Sequence, residues 1–256
     1  MQKSNTSKDR KIEQKLKKLG LFPSTSAPWQ QKIINKFLSN VVIKKNDTCL
    51  DIACGIGNNV GTIICYFNLI RGIDKSEKAL KYAKNRYKNI NNIKISFDVK
   101  DLFSLSSEKR YYNCVICTEA LEHVVDYQKA ICEIYSVTKR GGYAIISFQN
   151  HFNLATFYKI IYEKFFKKNW DAWGTHSHKD GYENYLNCFQ MKKAIKKSGF
   201  TTISEIGADY LNAWFFWIPF LYKNYRILNK FPLFIFGEMP VVKYLGMDYF
   251  ILLKKD

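Results

Sequence analysis

Short apolar runs alternate with helix-length amphipathic stretches over most of this chain. Cys49 to Ala53 is apolar except at Asp51 and reads as a buried strand that breaks into a glycine turn at Gly55 and Gly57. A helix is expected to begin near Asn58. Leu69 to Asp74 is a second apolar strand, and it ends on a carboxylate. Ser76 then stands as the N-cap of a helix with Ala79, Leu80 and Ala83 at helical spacing. Ile93 to Phe97, Tyr111 to Cys117 and Tyr143 to Phe148 read as the next strands. Thr118 is expected to open a helix running to about Lys139 and stopping in a left-handed cap at Gly141-Gly142. Beyond it lie a helix from near Gln190, a sixth strand over Thr201 to Ile206 and a last strand from about Met247 to Leu253. Strands alternating with helices predict an α/β fold, doubly wound around a mainly parallel sheet.

Two segments interrupt this alternation. Residues 1–45 read as a basic N-terminal arm with helices, and 46–256 as the main domain, with insertions at about 150–188 and 208–245. The first insertion carries Trp170, Trp173 and Gly174-Thr-His-Ser-His178. Ligands of open α/β sheets sit at the carboxyl ends of the strands, so this insertion is expected over an acceptor pocket; a polar loop with packed tryptophans fits it equally. The second is heavily aromatic from Leu211 to Tyr222 and is followed by Lys223, Arg226 and Lys230. It is too short and interrupted to span a bilayer. A lid or packed aromatic cluster is the favoured reading, with contact at an anionic membrane surface as the alternative.

The glycine turn and the acid ending the next strand suit a cofactor that contains a nucleoside. Glycines let the backbone approach the ligand, and a strand-end carboxylate accepts hydrogen bonds from ribose hydroxyls. Asp51-Ile-Ala-Cys-Gly-Ile-Gly57 lacks the third spaced glycine of the dinucleotide fingerprint. It resembles motif I of class I S-adenosylmethionine-dependent methyltransferases, with Ala53 at the first glycine position, a departure that adds only a methyl group. Glu119-Ala-Leu-Glu-His-Val124 and Thr138-Lys-Arg-Gly-Gly-Tyr-Ala-Ile-Ile-Ser147 are similar to the ubiquinone-biosynthesis type and its small-molecule relatives. The resemblance covers roughly residues 46 to 150.

This resemblance implies a Rossmann-like seven-stranded sheet with helices on both faces and S-adenosyl-L-methionine as cofactor. It implies that Asp51 and the backbone of Ala53, Cys54, Gly55 and Gly57 surround the methionine moiety. Asp74 would bind the ribose hydroxyls, with Lys75 beside the adenosine. Asp101 would accept from the adenine amino group, Leu102 would pack on its ring, and Cys117 would border the methionine part. Read without the resemblance, Asp51 is a turn residue and Asp74 a helix-capping carboxylate.

Composition narrows less. The formal charge is +18, and the segment through Gly20 has seven basic against two acidic residues. Such charge admits nucleic acid, an anionic membrane or an anionic metabolite as partner and selects none. Seven scattered cysteines form no disulfide framework and fit a reducing compartment. Cys114 and Cys117 have CxxC spacing, but in a strand they face opposite ways, so no metal clip or redox pair is expected. With no hydrophobic leader after Met1, the expected location is cytoplasmic, with peripheral membrane contact as an option.

Methyl transfer to a hydroxyl gains from a proton acceptor. His123 is the leading candidate, following the fourth strand and able to titrate near neutrality. Glu119, Glu122 and His123 would share one face of a helix. In the ubiquinone-type enzymes the matching triplet resembles a divalent-metal site, so base, metal and merely structural roles stay open here. His176 on the first insertion is a weaker candidate. The reading is a small-molecule O-methyltransferase for a sugar, quinone-like or lipid-linked acceptor. The alternatives are an RNA methyltransferase, supported mainly by charge and lacking any RNA-binding module, and a non-catalytic cofactor-binding regulator.

Overall fold

The computed structural model describes residues 28–108, 110–166, 184–210 and 237–256. The aromatic segment 211–236, the N-terminal arm through residue 27, and Trp170, Trp173, His176 and His178 lie outside the described residues. The seven strands are β1 (Thr48–Ile52), β2 (Leu69–Asp74), β3 (Lys94–Val99), β4 (Tyr112–Cys117), β5 (Thr138–Gln149), β6 (Phe200–Ala208) and β7 (Asp248–Lys255). They form one sheet in the order β3-β2-β1-β4-β5-β7-β6. The pairs β1–β2, β1–β4 and β2–β3 are parallel, and β6–β7 is antiparallel. The helices are α1 (Pro28–Ser39), α2 (Val60–Ile63), α3 (Glu77–Tyr87), α4 (Tyr127–Val137), α5 (Leu154–Phe166) and α6 (Cys188–Ser198). The doubly wound, mainly parallel sheet expected from the alternation, and the seven strands that the resemblance implied, are therefore present, with β6 and β7 antiparallel to each other.

The chain divides into two compact units, Met1–Cys117 with Ser136–Ala144 and Thr118–Tyr135 with Ile145–Asp256. In the first, β1 is buried from Cys49 to Ile52, as a strand covered on both faces requires. On α3 the buried Leu80, Ala83 and Tyr87 recur at helical spacing, and Ser76 caps the helix by accepting from the Ala79 amide at 3.2 Å. Arg71 of β2 donates to Asp98 of β3 at 2.6 Å and to the Tyr112 hydroxyl at 3.0 Å, tying three strands together. Strand order turns between β1 and β4, and it is at such a reversal that open α/β sheets hold their ligands.

The second unit is organised around Asn150, buried just past the end of β5. Its Nδ2 donates to the carbonyls of Tyr244 and Gly246 at 2.8 and 2.9 Å. Its Oδ1 accepts from the amides of Phe152 and Cys188 at 3.3 and 3.1 Å, so the starts of α5 and α6 are pinned at one point. Helix α6 has a capping box of Asn187 and Gln190 and ends at the left-handed Gly199. The buried carboxylate of Glu205 on β6 lies between Lys192 at 2.9 Å and Lys243. Burial opposes its ionisation, but the two ammonium groups outweigh that and hold it below the usual carboxylate range.

One expected helix is broken up. Instead of running from Thr118 to Lys139, the chain makes a 3₁₀ turn at Leu121–His123 and then α4. Glu119 has φ +55°, which no right-handed helix accommodates. Gly141 is left-handed as expected (φ +75°) but lies inside β5 rather than at a helix end. The β-branched pair Val137-Thr138 already favours extended backbone. Gly142 has no room for a side chain: a Cβ there would stand 2.8 Å from the Asn113 carbonyl oxygen.

Asn150→Ala removes all four side-chain hydrogen bonds and leaves buried backbone groups unpaired. We expect a loss of about 3–5 kcal/mol in stability, seen as a lower urea midpoint.

Candidate functional site

Residues at the carboxyl ends of β1, β2, β3 and β4 form a compact constellation in the first unit. After Ile52 the backbone passes through left-handed conformations at Ala53 (φ +53°), Gly55 (φ +52°) and Gly57 (φ +77°). The Gly57 amide closes the turn on the Cys54 carbonyl at 2.8 Å, and three bonds tie it to β2 and α3. The Cys54 amide donates to the Ile73 carbonyl at 2.9 Å, the Gly55 amide to Asp74 Oδ2 at 2.8 Å, and the Tyr87 hydroxyl to the Gly57 carbonyl at 2.6 Å. Asp74 Oδ1 accepts from the Ser76 amide at 2.8 Å, so this carboxylate does cap the next helix. Each of its oxygens keeps a second acceptor position. A Cβ placed on Gly55 would meet nothing within 4 Å, so the backbone there borders open space.

Ala53 is more than a harmless extra methyl. The left-handed conformation that glycine adopts freely costs an alanine about 1–2 kcal/mol. The turn therefore carries strain that its hydrogen bonds must offset.

Asp51 is wholly buried in β1. Its Oδ1 accepts from Asn59 Nδ2 at 3.2 Å, while Oδ2 has no hydrogen-bond partner among the described residues. Burial pushes its pKa up to about 7, Asn59 opposes the rise, and the neighbouring Asp74 adds to it. A buried carboxylate with one open oxygen suits a cationic or hydrogen-bond-donating ligand group. Asp101 makes an ion pair with Lys75 at 3.1 Å, and its Oδ1 accepts from the Phe103 amide at 2.9 Å. Leu102 behind it is buried, as is Cys117, which ends β4 and stands in register beside Ile52. The cofactor-binding candidates Asp51, Ala53, Cys54, Gly55, Gly57, Asp74, Lys75, Asp101, Leu102 and Cys117 thus all belong to one unit. Cys54 has a second duty, because its Sγ and the Phe97 ring fill the space a Cβ on Gly72 would occupy, at 2.8 and 2.7 Å.

The catalytic candidates fare differently. In the second unit Glu122 is buried, whereas Glu119 and His123 are exposed. The left-handed Glu119 and the short 3₁₀ turn remove the shared helix face that the spacing predicted. Among the described residues no group of three metal-ligating side chains is gathered, so Glu119, Glu122 and His123 do not form the divalent-metal site that the resemblance implied. The His123 ring has no hydrogen-bond partner among the described residues; its amide donates to the Ala120 carbonyl at 3.1 Å. The turn is braced from afar: the Asn184 amide donates to the Glu122 carbonyl at 2.6 Å.

Glu119 is the better held of the exposed pair. Its amide donates to Ser147 Oγ at 3.1 Å, and that hydroxyl lies 3.5 Å from Glu119 Oε1. Desolvation raises its pKa above the ordinary value, and Glu122 and Asp209 add to the rise. Solvent still reaches part of the residue and screens the shift, so its direction is what the site provides. Asp209 was not singled out from sequence. Its position directly after β6, at a strand end, was the available signal, and like Glu119 it is left-handed, at φ +55°. Strained acids at strand ends are a hallmark of functional loops.

A family model described as a methyltransferase domain matches residues 43–209. A ubiquinone biosynthesis O-methyltransferase of Coxiella burnetii is 24% identical over 175 residues, covering 68% of this chain and 72% of that protein. One from Nitrosomonas europaea is 27% identical over 164 residues, 64% of this chain and 67% of that protein. Among solved structures, an S-adenosylmethionine-dependent methyltransferase from Clostridium acetobutylicum superposes with a TM-score of 0.59 at 15% identity, covering 96% of this chain and 98% of that one. Phosphoethanolamine N-methyltransferase 2 of Haemonchus contortus, in complex with S-adenosyl-L-methionine, gives 0.56 at 19% identity, covering 92% of this chain and 54% of that one.

Two stability measurements probe the turn and its acid. Ala53→Gly relieves the left-handed strain, and the gain exceeds the added freedom of the unfolded chain, so a rise of about 0.5–1 kcal/mol in unfolding free energy is expected. For Asp51, the folded pKa of about 7 lies above the ordinary 3.8, so the folded state disfavours its ionisation. Wild-type stability contributed by this residue is complete below the lower value and is lost as pH rises through the higher. Asp51→Asn should therefore gain on wild type between those two pH values in unfolding titrations of the free protein.

Proposed function

The chain belongs to the methyltransferase-domain family and is an S-adenosylmethionine-dependent methyltransferase, and from that premise we propose that it methylates a hydroxyl of a small-molecule acceptor. The acceptor class is that of sugars, quinone-like compounds and lipid-linked metabolites. The observation that carries the cofactor assignment is the open Oδ2 of buried Asp51 beside the left-handed turn and Asp74. The hydroxyl assignment draws on the O-methyltransferases among the distant relatives.

Bound there, the cofactor supplies an electrophilic methyl group on a sulfonium. Asp51 accepts hydrogen bonds from the methionine ammonium, which offsets the cost of its own burial. The backbone of Ala53, Cys54, Gly55 and Gly57 lets the methionine part approach closely, with Cys117 at its border. Asp74 uses its remaining acceptor positions for the ribose hydroxyls. Lys75 and Asp101 flank the adenine, Asp101 accepting from its amino group and Leu102 packing on the ring.

Displacement at a methyl group needs alignment more than covalent help, and a base assists by taking the acceptor's proton. We assign that proton to Glu119. Its carboxylate is raised toward neutrality, anchored by Ser147, and sits two residues past β4. His123 on the adjoining turn is held less firmly and is assigned a lesser role.

Calorimetry should show S-adenosylmethionine binding, no NAD binding, and affinity weakened by about 1–3 kcal/mol in Asp74→Ala. Equal affinity of mutant and wild type would remove the ribose assignment. Transfer of radiolabelled methyl should appear in small-molecule or lipid fractions and not in RNA.

Glu119→Gln should keep cofactor affinity while turnover drops about 10²–10⁴-fold. His123→Ala should lose much less. Wild-type turnover should climb with pH as Glu119 gives up its proton, and that limb should vanish in Glu119→Gln. The opposite ranking of the two mutants would transfer the base role to His123.

A further inference from the structure

Helix α5 carries Phe157, Ile160, Ile161 and Phe165 at the spacing of a single helix face. That face looks outward: Phe157 is 63% exposed, Ile160 56% and Phe165 77%, while the polar Thr156 is buried. Surface helices ordinarily turn such a stripe toward the core. The two phenylalanines alone leave roughly 250 Å² of largely apolar surface in solvent, given the size of an aromatic side chain.

The exposed apolar surface continues past the helix. Phe152 and Phe189, both exposed, meet edge to face at 5.2 Å, and the exposed Tyr185 lies edge-on to His151 at 4.8 Å. Phe189 opens α6, and Lys193, Lys196 and Lys197 follow it at i+4, i+7 and i+8, all exposed. Helix α6 has no acidic residue. Because Asn150 pins the starts of both helices, Phe152 and Phe189 come together there, and the lysine row follows along α6.

We propose that this face of the second unit, α5 together with the outer side of α6, docks on the surface of an anionic phospholipid bilayer. Apolar and aromatic side chains enter the boundary between headgroups and acyl chains, and the lysines meet the headgroup phosphates. A thirteen-residue helix is about 20 Å long, too short for a hydrocarbon core of about 30 Å, so α5 lies in the plane of the interface. Among the described residues no helix is long and apolar enough to cross a membrane. A second copy of the chain is the poorer occupant, since a self-complementary contact would oppose two identical lysine rows. The proposal is independent of the methyl-transfer reading, because it is tested without cofactor or acceptor.

The test is co-sedimentation of the full chain with vesicles of mixed phosphatidylglycerol and phosphatidylcholine, against vesicles of phosphatidylcholine alone. The mixed vesicles should retain the protein and added salt should release it. Phe157→Ser with Phe165→Ser should weaken retention by about tenfold or more, with circular dichroism and the urea midpoint unchanged. Lys193→Glu with Lys196→Glu and Lys197→Glu, at exposed positions, should do the same by a separate route. Absence of retention on the mixed vesicles, or retention that neither set of substitutions alters, would overturn the proposal. So would a dimer in light scattering that the phenylalanine substitutions disperse while vesicles retain nothing.

Discussion

The backbone after β1 turns left-handed three times within five residues, at Ala53, Gly55 and Gly57, and the first unit is built to keep it there. Such a turn is poorly populated by an unconstrained chain. It is clamped by β2 through Ile73 and Asp74, and by α3 through Tyr87. These clamps explain features that otherwise look unrelated. Gly72 must lack a side chain so that Cys54 can sit against β2, and Tyr87 must be buried so that its hydroxyl reaches the Gly57 carbonyl. Asp74 serves two backbone amides from two elements, which fixes its carboxylate before any ligand arrives.

Electrostatics adds a second constraint at this turn. Burial and the neighbouring Asp74 both oppose ionisation of Asp51, and the hydrogen bond from Asn59 partly offsets them. The free protein bears that cost, and a cationic ligand group removes it. The second unit contains a comparable arrangement at Glu119, where desolvation raises the carboxyl pKa and the neighbouring Glu122 and Asp209 add to the rise.

The second unit also shows how a single side chain can organise a surface. Asn150 satisfies carbonyls ahead of β7 and amides at the starts of α5 and α6, using its donor and acceptor ends together. The Lys192–Glu205–Lys243 cluster reinforces the same region, with both ammonium groups about 5 Å from the Tyr244 ring. Helices anchored this firmly at their bases can present apolar and basic faces outward without collapsing them into the core.

The sequence by itself determined the strand order, the glycine turn, the Ser76 cap and the place of Asp74 at the end of β2. Each follows from local rules: apolar period, turn chemistry and spacing along one chain. Only the tertiary structure decided the state of those residues. That Ala53 is strained follows from a turn imposed by β2 and α3, and that Asp51 is half satisfied depends on where Asn59 reaches. The helix expected from Thr118 gave way because Glu119 is drawn into a left-handed bend beside Ser147, a residue 28 positions away. Asp209 joined Glu119 for the same reason. The outward stripe of α5 was equally hidden, since periodicity finds an apolar face but says nothing about which way it points. Direction, burial and partnership are properties of contacts between distant segments, and those exist only once the chain has folded.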